Sequence, residues 1–257
     1  MINKEVSEFS YGYAVTNELA SRPSTLRAAP YFPSLRLEGA IGGGFDVALQ
    51  FHAQPIFLQF KLSESLQRRS ANEYSLFGSS YYRFKIWSSR QSNQHRLLLE
   101  LEAKHPCVFY VAPRFHEIEE LNRFYLSSNI LKQSVFIRPS EIGKILDDEE
   151  HCVAFHRDAS KGMFFCSDPK PIATIGVESL LQEHANVSVL DYAYLQMILS
   201  GMVELLENCG HRYAVAEFRN AIKDRDWLER SLPWTLRFIS HSFFGCELLF
   251  LVKGTKK

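Results

Sequence analysis

An aspartate, a glutamine and a lysine lie at spacings that could bring them to one face of a β-hairpin: Asp46, Gln59 and Lys61. Apolar and polar residues alternate along residues 45–51 and again along residues 56–62, which is typical of half-buried strands. The four residues between these segments form a connection short enough for an antiparallel hairpin. The pattern therefore predicts that all three polar side chains project from the same face.

The register of this hairpin decides how closely the polar groups approach. Pairing of Phe51 with Ile56 places Asp46 opposite Lys61, with Gln59 in the neighbouring pair. Directly opposed side chains lie about 5 Å apart at Cβ, and diagonal ones roughly 7–8 Å. A carboxylate, an amide oxygen and an ammonium group at such distances can share a hard divalent cation and its water. The alternative is a simple cross-strand ion pair, which contributes little to stability.

The segment before the hairpin predicts a helix that could bring a further carboxylate to this face. Residues 10–22 have helical periodicity, with Ser10 as the expected N-cap. Glu18 falls within or beside the apolar stripe, so it lies either at the edge of the core or directed at the site. The stripe consists of Tyr11, Ala14, Val15 and Leu19. A strand over residues 34–38 and the glycines at 42–44 then lead into the hairpin.

A basic and aromatic segment, residues 63–93, follows the hairpin directly. Arg83 and Lys85 alternate with Tyr82 and Phe84 in a predicted strand. We expect the cations to contact phosphate groups, and the aromatic rings to pack in the core or stack on bases. The candidate nucleic-acid-binding residues are Arg68, Arg69, Arg83, Lys85, Arg90 and Arg96.

The remaining pattern predicts alternating helices and strands, followed by a helical part. A helix over residues 92–104 begins with Gln94 and His95, which either face the site or cap the helix. The other expected elements are a strand over 107–113, a helix over 116–126, a strand over 134–138, a hairpin of 151–156 with 162–166, helices over 187–208 and 212–230, and an apolar strand or helix over 246–252. We divide the chain into a core, residues 1–175, and a mostly helical part, residues 176–257.

Composition restricts the class of protein. The 257 residues include 29 basic and 29 acidic side chains, so any basic surface must be local. The five cysteines are scattered without a CxxC motif, as expected for a reducing compartment. No apolar run reaches the length of a membrane span, and the N-terminus does not resemble a signal peptide. We therefore expect a cytoplasmic protein without a membrane partner.

The order helix, three strands, helix, strand, with its polar residues, resembles the PD-(D/E)XK nuclease superfamily. The residues that carry the resemblance are Glu18 on the first helix, Asp46 on the second strand, and Gln59-Phe60-Lys61 on the third. The glutamine form of the last motif is similar to the Mrr-type branch of restriction endonucleases. The resemblance covers roughly residues 8–114 and implies an α/β fold with a mixed sheet: a restriction-endonuclease-like αβββαβ core, here with a helical C-terminal extension.

The resemblance also implies a mechanism, the hydrolysis of phosphodiester bonds with Mg²⁺ or Mn²⁺. The metal ligands would be Asp46, the side-chain oxygen of Gln59 and the carbonyl of Phe60, with Glu18 binding directly or through a water. Lys61 would orient and help deprotonate the attacking water, or balance charge on the phosphate.

Glutamine at position 59 removes one negative charge from this ligand set, so Mg²⁺ should bind more weakly. Glu38, at the end of the predicted strand 34–38, could supply the missing carboxylate or could be a solvated charge at a strand end.

The leading hypothesis is a DNA endonuclease of restriction or anti-phage defence, with DNA and other subunits of a defence complex as partners and a homodimer as a further option. The alternative is a nuclease-fold subunit that has lost catalysis and binds nucleic acid or scaffolds a complex. A third is a nuclease that acts on RNA or on single strands.

Overall fold

The computed structural model describes residues 6–21, 53–71, 73–87, 92–158, 163–165, 170–176, 179–180, 192–222 and 225–252. The strand predicted over 34–38 and the first half of the predicted hairpin lie outside the described residues, as do Asp46, Glu38 and Arg90. Within the described residues, the protein is a mixed α/β structure in which helices pack on a mixed four-stranded sheet.

The bounds of the elements follow the sequence pattern closely in most places. The strands are β1 (Ala53–Phe60), β2 (Glu64–Leu66), β3 (Tyr81–Ile86), β4 (Val108–Pro113), β5 (Ser134–Ile137), β6 (His151–Phe155), β7 (Met163–Phe165), β8 (Lys170–Pro171) and β9 (Glu247–Val252). The helices are α1 (Glu8–Ser21), α2 (Tyr74–Phe77), α3 (Gln94–Lys104), α4 (Ile118–Leu126), α5 (Pro139–Ile142), α6 (Tyr192–Asn208), α7 (Arg212–Ile222) and α8 (Arg225–Phe244).

The first sheet has the strand order β5-β4-β1-β9. β1 runs parallel to β4 and antiparallel to β9, and β4 runs antiparallel to β5. A parallel pair requires a crossover connection, and α3 leads the chain from the second sheet into β4. The segment at 246–252, for which the sequence left strand and helix open, is therefore a strand that completes this sheet beside β1.

The antiparallel pairing predicted between residues 45–51 and residues 56–62 is wrong. Ile56 pairs with Leu249 of β9, and residues 53–55, expected in the connection, belong to β1. Phe57 and Leu58 pair with β4 on one side and with β9 on the other, so neither edge of β1 is available there to another strand. The expected juxtaposition of Asp46 with Lys61 rested on this register and loses that support.

The second sheet has the order β2-β3-β6-β7-β8, and its described pairings are all antiparallel. The strand predicted from the alternation of aromatic and basic residues is β3, with Tyr82 and Phe84 buried and Arg83 and Lys85 on the opposite face, as expected. The hairpin predicted across residues 157–161 is β6 with β7, in which Val153 pairs with Phe165.

Two hydrophobic clusters lie on the two faces of the first sheet. One face packs against α1 and α4, through even-numbered residues of β1 such as Leu58 and Phe60. The other face, with Phe57 and Tyr110, packs against α3, the C-terminal helices and β3 of the second sheet. Since fully burying one large apolar side chain contributes about 1.5–3 kcal/mol, these clusters hold the helices on the sheet.

No helix in the described part of the chain combines the length and apolarity that crossing a membrane requires.

The N-cap of the first helix lies three residues before the one that the sequence suggested. The hydroxyl of Ser7 accepts a hydrogen bond from the backbone N–H of Ser10 at 3.0 Å, so Ser7 is the N-cap and Ser10 lies inside the helix. The single helix predicted over 212–230 is instead two helices, α7 and α8, and α8 contains Pro233. The apolar stripe expected on α1 is buried as predicted.

Candidate active site

Gln59 and Lys61 project from the same face at the end of β1, and Gln94 of α3 joins them. Lys61 Nζ donates a hydrogen bond to Gln94 Oε1 at 2.9 Å, and Gln94 Nε2 donates to Gln59 Oε1 at 2.7 Å. The side chains at positions 59 and 61 share a face because directions alternate along a strand. The sequence left open whether Gln94 faces the site or caps the helix. Its side chain faces the site, where Gln59, Lys61 and Gln94 form a hydrogen-bonded cluster.

A second set of hydrogen bonds fixes the floor of this cluster. Lys61 Nζ lies 5.7 Å from the ring centroid of Tyr110, in a cation–π contact. The Tyr110 hydroxyl is 3.0 Å from His95 Nδ1, and His95 Nε2 is 2.7 Å from the carbonyl of Gly143. Since a carbonyl can only accept, Nε2 carries the proton and Nδ1 accepts from Tyr110. Burial lowers the pKa of His95, which favours this neutral form.

The turn between α8 and β9 covers the amide pair. Gly245 has φ +64, and a Cβ atom there would lie 2.5 Å from Gln94 Nε2 and 2.9 Å from Gln59 Oε1. Only glycine combines this backbone conformation with so close an approach. The adjacent Cys246 is buried, which raises the pKa of its thiol, whereas nearby Lys61 opposes that rise. The C-terminal part of the chain thus contributes directly to the site.

The oxygens expected to bind a metal ion have donors within the cluster. Gln59 Nε2 donates to the carbonyl of Phe60 at 3.0 Å, while Gln59 Oε1 accepts from Gln94. Each oxygen keeps a second lone pair, and oxygen is the donor that Mg²⁺ prefers, so the chemistry of these two groups fits the ion. In the part of the chain that the structure describes, no three His, Cys, Asp or Glu side chains converge on a metal position. Asp46 and Glu38, which the sequence suggested as carboxylate ligands, lie outside that part.

Glu18 is not brought to this cluster. Its helix, α1, packs on the face of the sheet that carries the Phe60 side chain, so the sheet separates Glu18 from Gln59 and Lys61. Glu18 is 7% exposed, and its Oε2 accepts a hydrogen bond from the backbone N–H of Leu131 at 3.1 Å. This carboxylate therefore joins α1 to the connection before β5, and its predicted catalytic and metal-binding role has no geometric support here.

Two of the predicted nucleic-acid contacts have carboxylate partners in or beside the second sheet. Arg83 lies between Glu64, at 3.3 Å, and the buried Glu73, at 3.6 Å. Lys85 Nζ is 2.8 Å from Glu150. Arg83 is therefore paired at a partly buried position, whereas the ion pair of Lys85 with Glu150 is exposed to solvent.

The remaining predicted cations are differently placed. Arg68 and Arg69 are exposed after β2. Arg96 is exposed on α3, two residues after Gln94, with Nη2 3.4 Å from Cys209 Sγ. Arg96 is thus the predicted nucleic-acid contact that lies nearest in sequence to Gln94.

Sequence reasoning missed Tyr110 and Gly245 as parts of the site. In the sequence, Tyr110 looks like one more apolar residue of a buried strand. A buried tyrosine hydroxyl nevertheless needs a hydrogen-bond partner, and this was the available signal. Gly245 offered only a weak signal, as a lone glycine before the last strand.

Searches of family models, of curated proteins and of solved structures found no match to this chain.

Proposed function

We propose that the protein is a metal-dependent nuclease that hydrolyses DNA phosphodiester bonds, in the setting of restriction or anti-phage defence. The observation that carries the proposal is the joining of Lys61 to Gln59 through Gln94, at the end of a strand that runs parallel to β4. An ammonium held in place beside oxygen donors suits the chemistry of a negatively charged phosphate. This arrangement also agrees with the Gln-x-Lys motif that resembles the PD-(D/E)XK nucleases.

Each residue of the cluster has a distinct part in this proposal. Gln59 and the carbonyl of Phe60, together with Asp46, would hold Mg²⁺ or Mn²⁺. When bound, the ion supplies Lewis-acid polarisation of the phosphate. Lys61 would contact the scissile phosphate and orient the attacking water. Gln94 is a positioning residue, because it holds Lys61 and Gln59 in fixed relation to one another.

One observation favours a second candidate, a nuclease-fold subunit without catalysis that binds nucleic acid or scaffolds a complex. Gln59 is only 4% exposed, both ends of its amide are hydrogen-bonded, and Gly245 covers it. A metal ion could reach Gln59 only if the amide pair with Gln94 opened. The second candidate needs no such opening.

Plasmid cleavage with Mg²⁺ or Mn²⁺ distinguishes the two candidates. We expect the wild type to convert supercoiled DNA to nicked or linear forms, EDTA to abolish the reaction, and Asp46→Ala and Lys61→Ala to be inactive. Equal cleavage by the wild type and both variants would contradict the proposal. DNA binding without cleavage by any of the three would favour the non-catalytic subunit.

A further inference from the structure

A pocket of about 560 Å³ opens beside the Lys61 cluster. Its walls come from the end of β3, from α3 and the two residues before it, and from the segment after α5. The residues that matter here are Trp87, Arg96, Leu99, Glu100, Lys144 and Ile145. Trp87, Ser92 and His95 also line the narrow cleft that contains Lys61 and Gln94, so the pocket lies next to the cluster.

The chemistry of the walls combines a flat aromatic surface with positive charge. Trp87 is 46% exposed although it lies at the end of a buried strand. Leu99 and Ile145 provide an apolar surface, while Arg96 and Lys144 contribute two cations against the one carboxylate of Glu100. The volume falls within the roughly 300–1,000 Å³ that is usual for small-molecule sites.

We infer that this pocket receives one unpaired nucleotide of the substrate strand, with its base stacked on Trp87 and its phosphate between Arg96 and Lys144. The inference rests on the proposed function and names its substrate class: single-stranded or locally opened nucleic acid. A base in a duplex is stacked on both sides, so it cannot offer its face to an indole unless it is first extruded. Aromatic stacking with nearby cations is the usual means of holding a single strand without reading its sequence.

Fluorescence anisotropy with a short labelled single-stranded oligonucleotide, and with the duplex of the same sequence, tests this pocket. Binding is measured in EDTA, so that cleavage does not intervene. We expect the wild type to bind the single strand more tightly, and Trp87→Ala to weaken that binding on the order of tenfold or more. Trp87→Phe should retain most of the affinity because it keeps an aromatic face. Tyr213→Ala is the matched control, since Tyr213 is 92% exposed and does not line the pocket.

Arg96→Ala tests the phosphate contact independently of the indole. We expect weaker binding and a shallower dependence of affinity on salt, since one phosphate contact is lost. Equal binding of the two DNA forms by the wild type, or binding by Trp87→Ala as tight as by Tyr213→Ala, would overturn the inference. Should Trp87→Ala fail to fold, Trp87→Leu, which keeps apolar bulk without an aromatic face, decides the same question.

The outcomes also separate this inference from the proposed function. If cleavage is absent but single-strand binding depends on Trp87, the nuclease proposal fails and the pocket stands. If cleavage depends on Lys61 but binding is indifferent to Trp87, only the pocket fails.

Discussion

Lys61 and Gln94 form the contact that ties the end of β1 to the first turn of α3, with Nζ 2.9 Å from Oε1. Because Oε1 accepts from Lys61, the amide nitrogen of Gln94 is left to donate to Gln59, which it does at 2.7 Å. One side chain therefore fixes the orientation of two others. The amide of Gln94 cannot rotate without breaking both hydrogen bonds.

Substitution of Gln94 should therefore lower the rate of cleavage without preventing folding. We expect Gln94→Ala to reduce the single-turnover rate about tenfold, corresponding to about 1.4 kcal/mol of lost positioning. Gln94→Glu should reduce it further, because a carboxylate competes with the phosphate for Lys61 and repels Gln59 Oε1. Gln67→Ala, at an exposed glutamine after β2, is the control. Wild-type rates for both Gln94 variants would show that this amide positions nothing.

Gly245→Ala should disrupt the cluster from the opposite side. The added methyl group would lie 2.5 Å from Gln94 Nε2. Gly78 is a matched control, since it has a similar φ of +66 but no atom within 4 Å of its Cβ position. We expect Gly78→Ala to lower the free energy of unfolding by roughly 1–2 kcal/mol for its left-handed backbone. We expect Gly245→Ala to lower the free energy of unfolding by about 1–3 kcal/mol more than Gly78→Ala does, because the methyl group overpacks the site. Equal losses of unfolding free energy for the two variants, measured by urea denaturation, would mean that Gln59 and Gln94 move aside without an energetic cost.

Glu247 predicts a pH dependence of stability. It is buried on β9, and burial raises its pKa from 4.5 to about 7, against the opposing effect of Arg237. As the pH rises from 4.5 to about 7, the carboxyl group ionises in the unfolded chain while it stays protonated in the folded protein. The folded state then binds more protons, so the free energy of unfolding falls, by roughly 3 kcal/mol over this range.

Glu247→Gln isolates this effect, because an amide does not ionise. The free energy of unfolding of the wild type, minus that of the variant, should decrease as the pH rises from 4.5 to about 7 and then level off. Contributions from His95 and His105, whose pKa values burial lowers, cancel because both proteins contain them. A difference that does not change with pH would contradict the assignment.

Glu18 tests whether the first helix serves stability or chemistry. Glu18→Ala removes the acceptor for the backbone N–H of Leu131, and leaving a buried donor without its partner costs about 1–3 kcal/mol. We expect that loss of stability together with a cleavage rate, measured well below the melting temperature, that stays within a few-fold of the wild type. A large loss of cleavage rate in Glu18→Ala, with the free energy of unfolding unchanged, would instead support the catalytic role that the sequence suggested.

Local patterns predicted the elements, and distant contacts decided how they pair. The periodicity of residues 10–22 and 92–104 located α1 and α3, because an apolar stripe is a local property of a helix. Alternation in residues 56–62 likewise gave the two faces of β1. It could not identify the neighbouring strand, since the antiparallel partner is β9, at the other end of the chain.

The candidate site divides in the same way. The shared face of Gln59 and Lys61 was predictable from their spacing of two. The carboxylates that neutralise Arg83 and Lys85 were not, because Glu64 and Glu150 are brought to them by strand pairing and by the loop before β6. Alternation placed both cations outside the core but contained no information about their partners.

Single-turnover cleavage of supercoiled plasmid in the presence of Mn²⁺ tests the central claim most directly, with Lys61→Ala compared with Lys132→Ala. Lys132 is an exposed lysine in the connection before β5, on the side of the sheet away from the cluster, so its loss removes the same charge without touching the site. If Lys61 acts on the scissile phosphate or its attacking water, Lys61→Ala should cleave at least about 100-fold more slowly than the wild type. Lys132→Ala should match the wild type. Equal rates for Lys61→Ala and Lys132→Ala would contradict the assignment of this cluster as a nuclease active site.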